Sequence, residues 1–156
     1  MRHDNLKNAH IKKSAARLYA VQALFQMEVS QSSVAEITQE FEMHRIGAKI
    51  GDHVYNHADV KMFRDILLRA VKDQSIIDKL TNNSLKNTWP LNRIDPTLRA
   101  LFRAAIAEIL LNKTPIKAII NEFIEIAKAF FPDGKEAKLV NAVLDNIRES
   151  ILNKKN

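Results

Sequence analysis

The sequence predicts an all-α protein, a compact single-domain bundle of six to eight helices. Apolar residues repeat at helical spacing along almost the whole chain, and the alternation typical of strands is missing. A length of 156 residues suits one domain, and neither an internal repeat nor an interdomain linker interrupts it. We expect residues 1–12 to form a flexible basic arm and residues 13–156 to form the helical domain.

The first four predicted helices are marked by serine caps and apolar stripes. Ser14 is expected to cap a helix that runs to about Ser30, and Ser33 to cap the next one. A third helix is indicated by an amphipathic stripe of Phe63, Ile66, Leu67, Ala70 and Val71, and a fourth by Ile76, Ile77 and Leu80. Residues 44–58 hold two of the three glycines and are expected to form a surface loop.

Prolines mark the starts of two of the last three predicted helices, and a segment with proline and glycine marks the end of one. Asp95-Pro96 combines a capping carboxylate with proline at the first helical position, and Thr114-Pro115 is expected to repeat that chemistry. The apolar stripe that follows Asp95 in the sequence, from Leu98 to Leu110, is the strongest core signal in the chain. Pro132 to Gly134 then ends one helix, and a final apolar stripe reaches Ile151.

The formal net charge of +6 belongs to the two ends of the chain. Five of the 24 basic residues lie within residues 1–17 and two within residues 154–156, while the other 17 basic residues match the 17 acidic residues apart from Asp4. A neutral body with a basic arm is typical of a protein whose arm binds phosphates. A solubilising, disordered terminus is the alternative that charge alone leaves open.

Several functional classes are not expected. Cysteine is absent, so disulfides and thiolate metal sites are excluded, and the N-terminus has no apolar segment of a signal peptide or membrane span. Motifs of the Gly-x-Ser-x-Gly and His-Glu-x-x-His types are missing, which argues against an enzyme. His44, His53 and His57 lie in the predicted loop, and we expect neither a metal nor a cofactor. We expect a soluble, cytoplasmic protein.

The first helix has more apolar surface than one packed face requires. Ala20, Leu24 and Met27 form one stripe, and Leu18, Phe25 and Val29 form a second. Such a helix is either buried on several sides or contacts a partner.

Basic residues and aromatic residues also suggest places where RNA could bind. Lys13 and Arg17 lie one turn apart and would extend the positive surface of the arm onto rigid structure. Phe130-Phe131 lies beside Lys128, Lys135 and Lys138, an arrangement that can stack a base between phosphate contacts. Because adjacent helical residues point about 100° apart, we expect one phenylalanine in the core and the other exposed.

Several short segments are weak signals alone but specific in their order and spacing. They are Ala20 to Phe25, Phe63 to Leu67, Trp89 to Ile94, Leu101 to Arg103 with Glu108, Ile120 to Glu122, Glu125 with Ala127-Lys128, and Lys138 to Asp145. From about Lys12 to its end, the chain resembles the NusB family of bacterial transcription antitermination factors.

The resemblance implies an all-helical, non-catalytic protein that binds the boxA element of nascent ribosomal RNA transcripts together with NusE, a small-subunit ribosomal protein. RNA polymerase and other Nus factors would be indirect partners. RNA would lie along the arm and first helix and reach the turn before the last helix. The implied RNA contacts are Lys12, Lys13, Arg17, Phe130 and Lys138, followed by Gln22 and Asn141, and the implied partner contacts are Phe25 and Val29.

The chain departs from the family pattern at three positions. Leu139 stands where the family usually has Phe, Ala142 where it has Gly, and Ala107 where it has Tyr. Without an aromatic residue at position 139, base stacking would be weaker. A helical module that docks a ribosomal protein and touches RNA only incidentally is the alternative function. The related domain fused to ribosomal RNA methyltransferases is not expected, because no Gly-rich nucleotide-binding unit follows residue 156.

Overall fold

The computed structural model describes residues 2–47, 49–50, 53–54, 57–85 and 93–154. Seven helices make up nearly all of this part of the chain: α1 (Arg2–Ser30), α2 (Val34–His44), α3 (Val60–Lys72), α4 (Gln74–Leu85), α5 (Pro96–Leu111), α6 (Ile116–Phe130) and α7 (Lys135–Lys154). The predicted all-α bundle of six to eight helices is therefore confirmed. Inside the predicted loop, Lys49–Ile50 (β1) pairs antiparallel with His53–Val54 (β2), with Lys49 opposite Val54 and Ile50 opposite His53.

Helix α5 is the centre of the core. It packs against α1, α3, α4 and α6, and its buried residues include Leu98, Leu101, Phe102 and Ile106. Its high apolar content explains this position, because a helix that is hydrophobic on most sides has to be covered on most sides. Helix α7 closes the bundle by packing mainly on α6 and α4.

Two of the predicted helix starts are confirmed. The Ser33 hydroxyl accepts a hydrogen bond from the Glu36 backbone N–H at 3.2 Å, and the Asp95 carboxylate accepts one from Thr97 N–H at 2.7 Å. At the start of α3, Asp59 caps the helix by accepting from Met62 N–H at 3.0 Å, which the sequence reading missed.

Two other predicted helix caps are wrong, although α6 does begin directly after Thr114-Pro115. Ser14 lies in the interior of α1, because that helix begins 12 residues earlier, at Arg2. At the start of α6, Pro115 itself occupies the cap position and no side chain caps the helix, so Thr114 does not act as Asp95 does.

The predicted flexible arm is also helical in the structure. Residues 2–12 continue α1 without a break, and residues 4–13 are all exposed, so the arm is a helical projection from the bundle. At its base, Asp59 N–H donates to the Lys12 carbonyl at 3.0 Å, which ties the segment before α3 to α1.

Some of the sequence features lie partly outside the described residues. Trp89 to Asn92 belong to the resemblance, and the side chain of His53 belongs to the histidine set, but the structure describes neither. In the described ranges no group of three or more acidic, histidine or cysteine side chains could hold a metal ion, and no helix could span a membrane.

The two proline-containing helix starts should differ in stability. We expect Asp95→Ala to lower the free energy of unfolding by about 1 kcal/mol, because the Thr97 N–H loses its side-chain acceptor. Thr114→Ala should change it by less than about 0.5 kcal/mol, because Thr114 caps nothing. Urea denaturation of both variants measures the difference, and equal losses would contradict the assignment of these caps.

Candidate nucleic-acid interface

The part of α1 between Asp4 and Glu28 presents cations without a carboxylate among them. No aspartate or glutamate occurs between Asp4 and Glu28. Lys7, Lys12 and Lys13 are exposed, and none of their ammonium groups forms a hydrogen bond or ion pair with another described residue. These three lysines are therefore free to contact an anionic partner.

Arg17 does not extend this exposed surface, and that part of the prediction is wrong. The residue is only 3% exposed, and its guanidinium binds the Glu108 carboxylate of α5 through two hydrogen bonds. Nε lies 2.7 Å from Oε1 and Nη2 lies 2.9 Å from Oε2. Lys13 and Arg17 do lie one turn apart on the same helix, as predicted, but the side chain of Arg17 lies at the contact between α1 and α5. Arg17 therefore positions α1.

A second carboxylate, Glu122 of α6, completes the cluster around Arg17. One of its oxygens lies 3.7 Å from Arg17 Nη1 and accepts from the Ser14 hydroxyl at 3.1 Å. The other lies 3.4 Å from His10 Nε2. Through these contacts Glu122 fixes α6 against the N-terminal half of α1.

A groove between α1 and α6 runs along the same cluster. It encloses about 480 Å³, with His10, Ile11 and Leu18 on the α1 side. The α6 side contributes Glu122 and Glu125, and the groove ends at Ala129, one residue before Phe130. Among the described residues that line the groove there is no lysine or arginine. Its charge is therefore unfavourable for phosphates.

The turn between α6 and α7 holds the other predicted RNA contacts. Lys138, in the first turn of α7, and Asn141 are exposed, while Gln22 on α1 is half-buried. Leu139 is half-buried and packs on the core. Lys128, near the end of α6, forms an exposed ion pair with Glu125 at 3.2 Å.

The two phenylalanines of this turn do not divide as expected. Phe130 and Phe131 are both half-buried and packed on the core, with ring centroids 6.5 Å apart and ring planes tilted by 53°. The expectation of one buried and one exposed ring assumed that both residues are helical. Phe131 instead leaves the helix, with φ −130° and ψ 82°, and its ring can turn back onto the core.

The C-terminal end of α1 presents an apolar patch. Val29 is 65% exposed and Phe25 36% exposed, whereas Leu24 on the other stripe is buried. The sequence left open whether the second stripe of α1 is buried or contacts a partner. Burial is wrong for two of its residues, Phe25 and Val29.

Next to this patch, Glu28 anchors a network of charges. It accepts hydrogen bonds from Arg99 and Arg103 of α5, and Arg103 also binds Asp78 of α4 at 2.9 and 3.0 Å. The hydrogen bond from Arg99 lowers the pKa of Glu28, and the same contact raises the pKa of Arg99. The sequence reading missed this network, although Arg99 and Arg103 stand four residues apart on one helix face.

The buried Arg17–Glu108 pair should be essential for stability. We expect Arg17→Met to lower the free energy of unfolding by about 3–5 kcal/mol, because the Glu108 carboxylate is then buried without its partner. The double variant Arg17→Met with Glu108→Leu should recover a large part of this loss, since no charge remains unpaired. Denaturant unfolding of the two variants checks this, and an additive loss in the double variant would contradict it.

Comparisons with known proteins identify the family. The model of the NusB family matches residues 14–149. The transcription antitermination protein NusB of Mesorhizobium japonicum is 45% identical over 152 residues, which cover 97% of this chain and 94% of the relative. NusB of Sinorhizobium fredii is 48% identical over 147 residues, which cover 94% and 91%.

Solved structures have the same fold. A structure of T. maritima NusB superposes with a TM-score of 0.69 at 31% identity, covering 87% of this chain and 89% of that one. A structure of the antitermination factors NusB and NusE in complex with double-stranded RNA gives a TM-score of 0.71 at 21% identity, covering 88% and 96%. At that identity the second likeness supports the fold alone. The family match over residues 14–149 and relatives 45–48% identical show that the chain belongs to the NusB family.

Proposed function

We propose that this protein is a transcription antitermination factor that binds the boxA element of nascent ribosomal RNA transcripts together with NusE. It acts by binding rather than by catalysis, needs no cofactor, and works in the cytoplasm next to RNA polymerase and other Nus factors. The observation that carries the proposal is the stretch of α1 between Asp4 and Glu28, which has unpaired lysines and no acidic residue, in a chain of the NusB family.

The RNA contact is proposed to centre on Lys12 and Lys13. Both are exposed and close to the rigid base of the arm, where the Lys12 carbonyl accepts from Asp59 N–H. Cations on a fixed helix lose little conformational freedom when they bind phosphates, which favours affinity. Lys138 and Asn141 offer a second, more distant contact at the start of α7, where the ammonium group of Lys138 forms no ion pair or hydrogen bond with a described residue.

Phe130 and Gln22 are weaker members of this proposed set, because both are half-buried. Stacking needs an accessible ring face, and the ring of Phe130 packs partly on the core and on Phe131. Phe130 would offer a base only the edge of its ring or part of one face. Stacking at this turn would then be weak, as is also expected from Leu139 in place of an aromatic residue.

The contact with NusE is proposed to use Phe25 and Val29. An exposed aromatic residue and an exposed aliphatic residue one turn apart form the kind of apolar centre that protein interfaces bury. Glu28, which precedes Val29 in the chain and binds Arg99 and Arg103, supplies a polar group at the rim of this centre. NusB and NusE occur together with double-stranded RNA in one solved structure, and we take NusE as the partner of this chain because the chain belongs to the NusB family.

The alternative function, a module that docks a ribosomal protein and touches RNA incidentally, has one observation in its favour. The groove that leads from α1 toward the α6–α7 turn is lined by Glu122 and Glu125 and by no lysine or arginine among the described residues. If RNA binding proved independent of the arm lysines, this alternative would be preferred.

Replacing both lysines at the base of the arm should weaken RNA binding and reduce its salt dependence. Single-stranded RNA releases roughly 0.7 counterions per neutralised phosphate. We expect Lys12→Gln with Lys13→Gln to make the slope of log K against log salt less negative by about 1.4, at unchanged melting temperature. Titrations of boxA RNA over a series of salt concentrations, with scrambled single-stranded RNA and a duplex of the same sequence beside it, measure this.

The matched control is Lys72→Gln with Lys79→Gln, which removes the same charge from exposed lysines of α3 and α4. Equal slopes for the two double variants would show that the arm has no special part in binding. Adding Lys138→Ala then tests the second contact, which should lower the affinity further without a loss of stability.

A charge on the apolar patch of α1 should abolish partner binding while the fold is retained. We expect Val29→Glu to prevent binding of purified NusE, because the interface would have to bury an unpaired carboxylate. The free energy of unfolding should change by no more than about 0.5 kcal/mol, since Val29 is 65% exposed. Calorimetric titration and denaturant unfolding provide the two measurements.

Leu68→Glu is the control for this variant, because Leu68 is 55% exposed on α3. It should bind NusE as the unaltered protein does. Unfolding of the Val29→Glu variant, or equal loss of binding in both variants, would show that the patch on α1 is not the docking surface.

A further inference from the structure

A second cavity lies on the opposite side of α1 from the α1–α6 groove. It encloses about 220 Å³ between Lys13 of α1, the first turns of α3, and the end of α5 with the turn that follows it. This volume is below the roughly 300–1,000 Å³ of pockets for drug-sized ligands, so it has room for one small group only. No residue of the groove lines this cavity, so the two are separate.

Three ammonium groups surround the cavity. Lys61 of α3 and Lys113 after α5 both donate to Oδ2 of Asp65, at 3.0 and 3.2 Å, and are exposed. Lys13 lies on the third side without a partner among the described residues. Asp59 and Glu108 also line the cavity, but Glu108 is already paired with Arg17. The three lysines therefore face two further carboxylates, Asp59 and Asp65, and keep an excess of one positive charge that a phosphate can neutralise.

The rest of the lining suits a base better than a bare anion. Met62 and Leu111 are half-buried and supply apolar and polarizable contact for a ring face. Asp65 Oδ1 accepts no hydrogen bond from a described residue, because both lysines bind Oδ2. Carboxylate oxygens only accept hydrogen bonds, so a base that offers an amino group fits them.

The position of the cavity makes it continuous with the base of the arm. Lys13 lines it, Lys12 is the preceding residue, and the Lys12 carbonyl is bonded to Asp59, which also lines the cavity. On the other side of α1, Ser14 and His10 face Glu122 in the groove. A strand bound to the arm thus meets three lysines among carboxylates on the α3–α5 side of α1, whereas the described lining on the α6 side has carboxylates without any lysine or arginine.

We propose that this cavity binds one unstacked, amino-bearing base of the RNA strand, with the flanking phosphates on Lys13, Lys61 and Lys113. The inference rests on the proposed RNA-binding function and adds a site for a single nucleotide. The base lies against Met62 and Leu111, and its amino group donates to Asp65. Uracil, which carries no amino group, is the base that fits least well.

The test uses the full chain and boxA RNA. Lys61→Met and Lys113→Met keep the apolar stem of each side chain and remove its charge, and each should make the salt slope less negative by about 0.7. Lys79→Met is the control and should leave the slope unchanged, because Lys79 is an exposed lysine of α4 outside the cavity. Melting temperatures verify that all three variants are folded.

An abasic scan of the same RNA detects the base itself. Removing one particular base should weaken binding to the unaltered protein about tenfold, and replacing it by uracil should weaken binding several-fold. With Met62→Ala the abasic penalty at this position should fall to less than about threefold, while penalties elsewhere remain. If the Met62→Ala variant does not fold, Asp65→Lys serves instead. RNA with 2-aminopurine at this position should change its fluorescence when it binds the unaltered protein, and this change should be absent when it binds the Asp65→Lys variant.

The outcomes separate this inference from the function on which it rests. If the unaltered protein binds no RNA, the proposed function fails and the cavity site fails with it. If boxA RNA binds and depends on Lys12 and Lys13, but no base removal is costly, the function stands and the cavity site is wrong. Reduced salt slopes without any abasic penalty also overturn the proposal, because phosphates would then pass the lysines without a base entering.

Discussion

The orientation of the first helix depends on Arg17, a cation buried between two carboxylates. Its guanidinium makes two hydrogen bonds to Glu108 of α5 and lies 3.7 Å from Glu122 of α6. Burying charges costs free energy that good geometry and additional hydrogen bonds have to offset. The paired geometry with Glu108 meets this demand, and the hydrogen bond from Ser14 satisfies Glu122. One side chain thereby sets the direction of α1 relative to two other helices, and hence the direction in which the arm projects.

Because α1 is a single helix, it holds its two proposed surfaces at a fixed separation. Lys12 and Val29 are 17 residues apart, which corresponds to about 25 Å at 1.5 Å per residue. RNA at one end and a protein at the other could therefore bind at the same time without steric conflict. The charges are separated in the same way, since no carboxylate of α1 lies between Asp4 and Glu28, and Glu28 is neutralised by Arg99 and Arg103.

The bundle could be predicted from the sequence because its signals are local. The stripe behind Asp95 and the caps at Ser33 and Asp95 depend only on residues within a few turns of one another. The predicted cap at Thr114 failed because Pro115 occupies the cap position, and the predicted cap at Ser14 failed because a residue type that caps helices also forms tertiary hydrogen bonds. Ser14 donates to Glu122, 108 positions later in the chain, and no short window of sequence contains that contact.

The candidate site was harder to predict for the same reason. Spacing placed Lys13 and Arg17 on one face, but it could not show that Glu108, 91 residues from Arg17, binds that side chain and buries it. The two rings at Phe130 and Phe131 were misjudged because the helix ends at that point, and the conformation of a cap residue is not encoded in helical periodicity. Phe25 and Val29 are exposed because the other stripe of α1 packs on α5. Tertiary packing decides which stripe is covered, and the sequence of α1 alone does not show it.

The flanks of α1 differ in charge, and this difference favours one path for RNA beyond the arm. On the side of α6, the groove carries Glu122 and Glu125 and would repel a phosphate backbone. On the side of α3 and α5, Lys61 and Lys113 share Asp65, and Lys13 faces them without a partner among the described residues. The contacts around Asp65 lower its pKa, chiefly through the hydrogen bond from Lys61, so the carboxylate remains an acceptor at neutral pH. Asp59 and Glu108 also line this flank, and Glu108 is paired with Arg17, so three lysines stand against two further carboxylates. The balance of charge thus favours a phosphate backbone on the flank of α3 and α5 over the acidic groove, and the favoured flank also has a cavity of the size of one base.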